Sequence, residues 1–232
     1  MEITILLCII IVVLLVIYWC TDNDDEDEAL QSKYRGFCPN SDPWDFPLPV
    51  ENILTQEECQ EIIKMADGKF QRSGIVGMAA AGNIRTSETA WIPKTEPIVA
   101  KVLEKVCELT GKTIDNCEEM QVVRYHEGQY YRPHHDSCCD PDDACIKFEE
   151  NGGQRIGTLL IYLNNDFENG ETDFPGLQSK FRAQAGTGVF FRPMNKSGKQ
   201  CHPLALHGGL PPTNGTKYAC NIWVRENKYI KP

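Results

Sequence analysis

Histidine is scarce in this chain, five in 232 residues, and no two cysteines form a C-x-x-C pair. The second absence removes the zinc-ribbon and zinc-finger classes, which need closely spaced thiolates. Clusters of Lys and Arg are missing as well, and 33 acidic against 23 basic residues leave a net charge of -10. Binding to a phosphate backbone depends on such clusters, so no nucleic acid is expected as a partner. No long internal repeat occurs, which argues against a solenoid. Around the apolar run at the amino terminus there is neither a basic n-region nor an A-x-A-like site, which sets aside a cleaved signal peptide.

That run, Ile3 to Trp19 (ITILLCIIIVVLLVIYW), carries no charge. At ~1.5 Å per residue it reaches about 26 Å, so residues 1–20 read as a single-pass membrane signal-anchor. Tyr18 and Trp19 suit an aromatic belt. The acidic "TDNDDEDE" and the proline-rich "CPNSDPWDFPLPV" follow, making residues 21–45 a solvated spacer before a domain over 46–232. Lys33 and Arg35 give only a weak charge asymmetry. Together with eleven cysteines they place the domain in an oxidising lumen, that of the endoplasmic reticulum, or otherwise outside the cytoplasm.

In "TQEECQEIIKMADG" Thr55 and Glu58 form a capping box, with Ile62, Ile63 and Met65 as the apolar stripe and Gly68 as a stop. "EPIVAKVLEKVCELTG" predicts a second helix with Pro97 in its first turn and Gly111 at its end. From Met120 onward the character changes to short β-branched and aromatic runs: "MQVVRY", "RIGTLLIYL", "ETDF", "GTGVFFRP", "PLALHG" and "KYACNIWVRE". Helices followed by many strands predict an α+β chain built on a helix-supported β-sandwich or barrel. Alternation in the last run puts Tyr218, Cys220 and Ile222 on one face and Lys217, Ala219, Asn221 and Trp223 on the other.

The chemistry gathers around "QYYRPHHDSC". His134 and Asp136 stand two apart, so in an extended segment both project from one face, while His135 turns away. In most sequences such a pair is a loop fragment that binds nothing. With five histidines to choose from, His207 in "ALHGG" is the best third ligand. Two histidines and a carboxylate on one face of an ion, with other positions open, form the facial triad of non-haem Fe(II) oxygenases.

"RYHEGQYYRPHHD", "GGQRIGTLLIYLNNDFENGETDFP" and "HGGLPPTNGTKYACNIW" resemble the blocks of the prolyl 4-hydroxylases, Fe(II)- and 2-oxoglutarate-dependent dioxygenases. The resemblance spans most of Arg85 to Arg225 and implies a double-stranded β-helix, or jelly roll. It implies His134, Asp136 and His207 as iron ligands, and Lys217 as partner of the distal carboxylate of 2-oxoglutarate. Tyr125 and Thr172 would assist that cosubstrate, with Arg85, Ser87, Glu118, Arg155 and Trp223 near the peptide. The implied reaction is hydroxylation of peptidyl proline at C4 with O2, giving succinate and CO2, with ascorbate as reductant and a proline-rich or collagen-like peptide as partner. Pro212 replaces the common valine and Tyr218 the common tryptophan, departures that bear on loop shape and substrate preference.

Two other functional classes are weighed beside this one: a related dioxygenase acting on another side chain or a small molecule, and a non-catalytic, membrane-tethered binding module. Cys138, Cys139 and Cys145 fit no standard zinc spacing and read as a loop disulfide or free thiols. Asn195 and Asn214 are glycosylation sequons.

Overall fold

The computed structural model describes residues 44–75, 82–139 and 142–231. These belong to a compact unit over Pro43–Pro232. In chain order, strand β1 (Leu48–Val50) precedes helix α1 (Gln56–Ala66), β2 (Gln71–Arg72), β3 (Glu88–Ile92) and α2 (Pro97–Thr110). Then come β4 (Met120–Tyr125), β5 (Tyr131–His134), α3 (Asp143–Glu150), β6 (Arg155–Tyr162), β7 (Glu168–Asn169), β8 (Thr172–Phe174) and β9 (Ser179–Phe181). The last are β10 (Gly188–Phe191), β11 (His207–Gly209), β12 (Pro212–Thr213) and β13 (Lys217–Arg225).

Local chemistry places the helices. Thr55 accepts from the Glu58 amide while the Glu58 carboxylate takes the Thr55 amide, so two orphan donors at the start of α1 are satisfied. Pro97 opens α2, and Gly111 closes it in the left-handed region at φ 69°, which a residue without Cβ adopts freely. Both helices lay an apolar stripe on one face of a seven-stranded antiparallel sheet in the order β1-β10-β6-β13-β4-β3-β2. Ile62, Val99, Val102 and Val106 meet Val122, Ile161, Cys220 and Ile222 there. Each such buried aliphatic side chain contributes roughly 1.5–3 kcal/mol.

The opposite face of this sheet meets a four-stranded antiparallel sheet, β5-β11-β8-β9, completing a double-stranded β-helix braced by helices on one side. Period-2 alternation divides the residues as the sequence predicts. Cys220, Ile222 and Val224 face the helices, while Lys217, Ala219, Asn221 and Trp223 line the cavity between the sheets. On β6, Leu159 and Ile161 join the helical layer, whereas Leu160 and Tyr162 join Phe174, Val189 and Phe191 between the sheets. Two disulfides, Cys138–Cys145 and Cys139–Cys201, tie down the segment after β5.

Some expectations need correction. A membrane-anchored chain with a lumenal domain is not sustained: no helix among the described residues is long and apolar enough to cross a membrane. The longest spans 14 residues, about 21 Å against the ~30 Å of a bilayer core, and its apolar face is spent on the sheet. The anchor over residues 1–20 and most of the spacer lie outside the described residues. "PLALHG" is not one strand: Pro203–Ala205 is a 3-10 turn, and the strand starts at His207. Helix α3, opened by Asp142 accepting from the Cys145 amide, was not anticipated.

Replacing Thr55 with Ala removes one half of the capping box. It is expected to lower stability by about 1 kcal/mol, read as a fall in the urea midpoint at constant slope.

Candidate active site

Antiparallel pairing of β5 with β11 sets His207 directly opposite His134. A register irregularity follows between His207 and Gly209, and a Cβ added at Gly208 would lie 2.9 Å from the Tyr131 carbonyl oxygen. Only glycine lets the two backbones approach so closely there. Asp136 lies just beyond β5, and its carboxylate reaches both imidazoles: Oδ1 lies 3.7 Å from His134 Nε2, and Oδ2 lies 3.6 Å from His207 Nε2.

Each imidazole spends its Nδ1–H on a carbonyl two residues earlier, His134 on Arg132 at 2.9 Å and His207 on Ala205 at 3.0 Å. That fixes both tautomers and leaves the Nε2 lone pairs directed at one point. The three donor groups lie within 4.8 Å of one another. Burial opposes the charge on Asp136, yet His207, His134 and Arg155 together hold its carboxyl well below the usual carboxylate range. Burial pushes His207 down to about 4, so this imidazole is neutral, the form that ligates. Two imidazoles and a carboxylate converging from one side suit a divalent transition metal with open positions.

Thr158, on β6 of the large sheet, donates to Asp136 Oδ2 at 2.7 Å and orients the carboxylate. Tyr131 stacks on His134 with centroids 3.6 Å apart, and Phe191 packs against His207 at 4.6 Å. His135 turns away from the pair, toward the sulfurs of the Cys139–Cys201 disulfide, and is half-buried rather than turned out to solvent.

Lys217 lines the same cavity. It is 2% exposed, its Nζ donates to the Gly170 carbonyl at 2.7 Å, and it lies 4.7 Å from the Tyr162 ring and 5.4 Å from that of Tyr125. Burial, with Arg182 nearby, lowers its pKa to about 7 against the opposing pull of Glu171. A buried ammonium held by one carbonyl and two ring faces has room for an anionic partner. Thr172 sits beside it: its hydroxyl pairs with that of Tyr162 at 3.0 Å, and the Tyr162 hydroxyl donates onward to the Phe181 carbonyl at 2.8 Å. Burial raises the Tyr125 pKa, keeping this phenol protonated as a donor.

Arg155 receives the Glu118 carboxylate with Nε and Nη2 at 2.6 and 2.8 Å, and Arg225 Nε binds the same carboxylate at 2.6 Å. Burial would raise the Glu118 pKa, but the two guanidiniums lower it. Arg155 also donates to the Asp136 carbonyl at 3.2 Å and lies 3.7 Å over the Trp223 ring. Arg85, 6% exposed, reaches Ser87 at 3.0 Å and Gln121 at 3.3 Å. Thus the structure brings Tyr125, Thr172, Lys217, Arg85 and Trp223 to the cavity that holds the three donors, with Arg155 at an adjoining one. Glu118 and Ser87 stand behind, holding the arginines. Thr158, Tyr162, Gln121 and Arg225 are contributors that sequence reasoning missed. A threonine and a tyrosine in the apolar run "RIGTLLIYL", both in phase with Leu160, were the available signal.

Comparison with known proteins agrees with this geometry. Residues 120–225 match the family described as the 2OG-Fe(II) oxygenase superfamily. A protein of Acanthamoeba polyphaga mimivirus named putative prolyl 4-hydroxylase is 44% identical over 188 residues, covering 81% of this chain and 77% of that protein. Prolyl 4-hydroxylase subunit alpha-2 of Gallus gallus is 30% identical, over 82% of this chain and 37% of that longer polypeptide. Among solved structures, the viral collagen prolyl hydroxylase of Paramecium Bursaria Chlorella virus-1, in complex with 2OG, superposes with a TM-score of 0.62. It is 31% identical, over 78% of this chain and 96% of that one.

Removing the Glu118 carboxylate by substitution with Ala leaves two buried guanidiniums without their counter-charge. The expected loss is about 3–5 kcal/mol of folding stability, measured by urea denaturation.

Proposed function

The chain belongs to the prolyl 4-hydroxylase family of 2OG-Fe(II) oxygenases, and from that membership we infer that it hydroxylates peptidyl proline at C4. The observation that carries the reading is the presence of the three converging donors and the buried Lys217 in one cavity. Iron(II), O2 and 2-oxoglutarate supply the oxidising chemistry, one oxygen atom going to the prolyl C4 and the other to succinate as CO2 leaves.

The protein's own part is ligand geometry and positioning. His134, Asp136 and His207 would hold the iron, with Thr158 fixing the carboxylate and the Arg132 and Ala205 carbonyls fixing the imidazoles. Lys217 would take the distal carboxylate of 2-oxoglutarate, helped by Thr172 and Tyr125. Burying a carboxylate beside a buried ammonium forms a charge-assisted pair in a site that excludes water. Arg155, Trp223 and Arg85 would position the peptide, with Glu118 acting through Arg155 and Ser87 through Arg85. Proline-rich and collagen-like chains suit this role because they are extended in polyproline II before they bind. Ascorbate is assigned as the reductant that keeps the iron ferrous.

Substituting His207 with Ala is expected to abolish both succinate release from 2-oxoglutarate and proline oxidation in a poly-proline or Gly-X-Pro peptide, read by mass spectrometry. Retained turnover would unseat His207 as a ligand, and oxidation at residues other than proline would point to a different substrate class.

The lowered Lys217 pKa sets a pH dependence. The distal carboxylate binds the ammonium form, which the free protein loses as pH rises through about 7. Affinity for 2-oxoglutarate is therefore expected to weaken above pH 7, by up to about tenfold per pH unit. Calorimetry at alkaline pH in buffers of different ionisation enthalpy should detect proton uptake on binding. An unchanged proton count would contradict the assignment of Lys217.

A further inference from the structure

Trp91 is 44% exposed, yet its neighbours on β3, Ala90 and Ile92, are buried in the core on the other face. Strand registers place it in one row across the site-facing side of the large sheet: Trp91 opposite Gln121, Gln121 opposite Asn221, and Asn221 opposite Leu160. The last three line the cavity that holds Lys217 and His207. Trp91 itself borders an adjoining cavity of about 330 Å³ that it shares with His134, Asp136, Arg155 and Trp223. Its ring lies 6.2 Å from that of Trp223. The row therefore runs without a break from that cavity to a large aromatic surface left open to water.

We propose that Trp91 is a platform for a second prolyl ring of the substrate, fixing the peptide through a residue that is not itself hydroxylated. The proposal rests on the peptide-hydroxylase reading above. Its geometric basis is a match of two spacings. Neighbouring strands lie about 4.8 Å apart, so β3 is roughly 9.6 Å from β13, two strands away. Polyproline II advances about 9.3 Å per three-residue turn. A peptide crossing the strands with its reacting proline over β13 thus presents the side chain three residues away to β3. There the partner is an indole face, the kind of surface that proline-recognition grooves offer to preformed polyproline II. The Arg155 guanidinium already covers the Trp223 ring at 3.7 Å, so Trp91 supplies stacking area that Trp223 has partly given up. The consequence is selectivity: repeated prolines in register bind better than a single proline in a Gly/Ala context.

The test uses the full chain and two peptides, a polyproline of roughly three turns and a Gly/Ala peptide of equal length with one proline, with affinities read by calorimetry. Trp91→Ala is expected to reduce the preference for polyproline about tenfold, and Trp91→Phe to retain most of it. A preference unchanged in Trp91→Ala, or absent from the wild type, overturns the proposal. So does a change of oligomeric state in Trp91→Ala by sedimentation, which would reassign the surface to contact with a second copy. Thermal melts establish that each variant is folded, and Trp91→Gln provides a polar replacement. Whether proline is the residue oxidised is decided separately by mass spectrometry, so failure of the platform and failure of the hydroxylase reading give different results.

Discussion

The pairing of β5 with β11 governs the rest of the site. Placing His207 opposite His134 brings together side chains from distant parts of the sequence, and it does so through backbone hydrogen bonds. A one-residue slip would turn one imidazole to the other face of the sheet. The close approach at Gly208 and the two disulfides beyond β5 both restrict the segments that carry the three donors. The Nδ1 bonds then orient rings whose backbone is already placed.

Buried charge is handled in two contrasting ways. Glu118 is fully neutralised between Arg155 and Arg225, forming a closed network that ties the ends of β6 and β13 to the strand entering at β4 and to the Phe148 and Gly153 carbonyls. Lys217 is the opposite case, an ammonium with no carboxylate hydrogen-bonded to it among the described residues and a pKa lowered to about 7. The closed network gives rigidity, while the open one keeps a free energy of interaction in reserve for a ligand.

Elements governed by short-range rules were legible in the sequence. The Thr55–Glu58 capping box, Pro97 and Gly111 delimit their helices as expected, and "MQVVRY" is strand β4 residue for residue. Alternation in "KYACNIWVRE" separated cavity from core correctly because both faces of β13 are buried by different partners. What escaped notice depends on tertiary pairing. Strands β2 and β3 precede the β-rich region, β3 being held by β4 and β2 by β3, while Thr158 orients Asp136 only because the chain after β5 passes over β6. "PLALHG" misled because a proline with apolar neighbours suits a 3-10 turn as well as a strand end. The long apolar run at the amino terminus invited a membrane location that no described helix supports.

The strand order carries a consequence for how the molecule is made. β13 comes last among the strands in the chain but lies inside the large sheet, between β6 and β4. A nascent chain halted before it would already possess His134, Asp136 and His207, yet the strands on either side would have no partner between them. Lys217, Asn221 and Trp223 arrive together with the strand that closes that gap. The cavity between the sheets is therefore lined completely only when the large sheet is complete, after nearly all the described residues have left the ribosome. An incomplete chain has no stage at which the three converging donors stand beside the buried ammonium of Lys217.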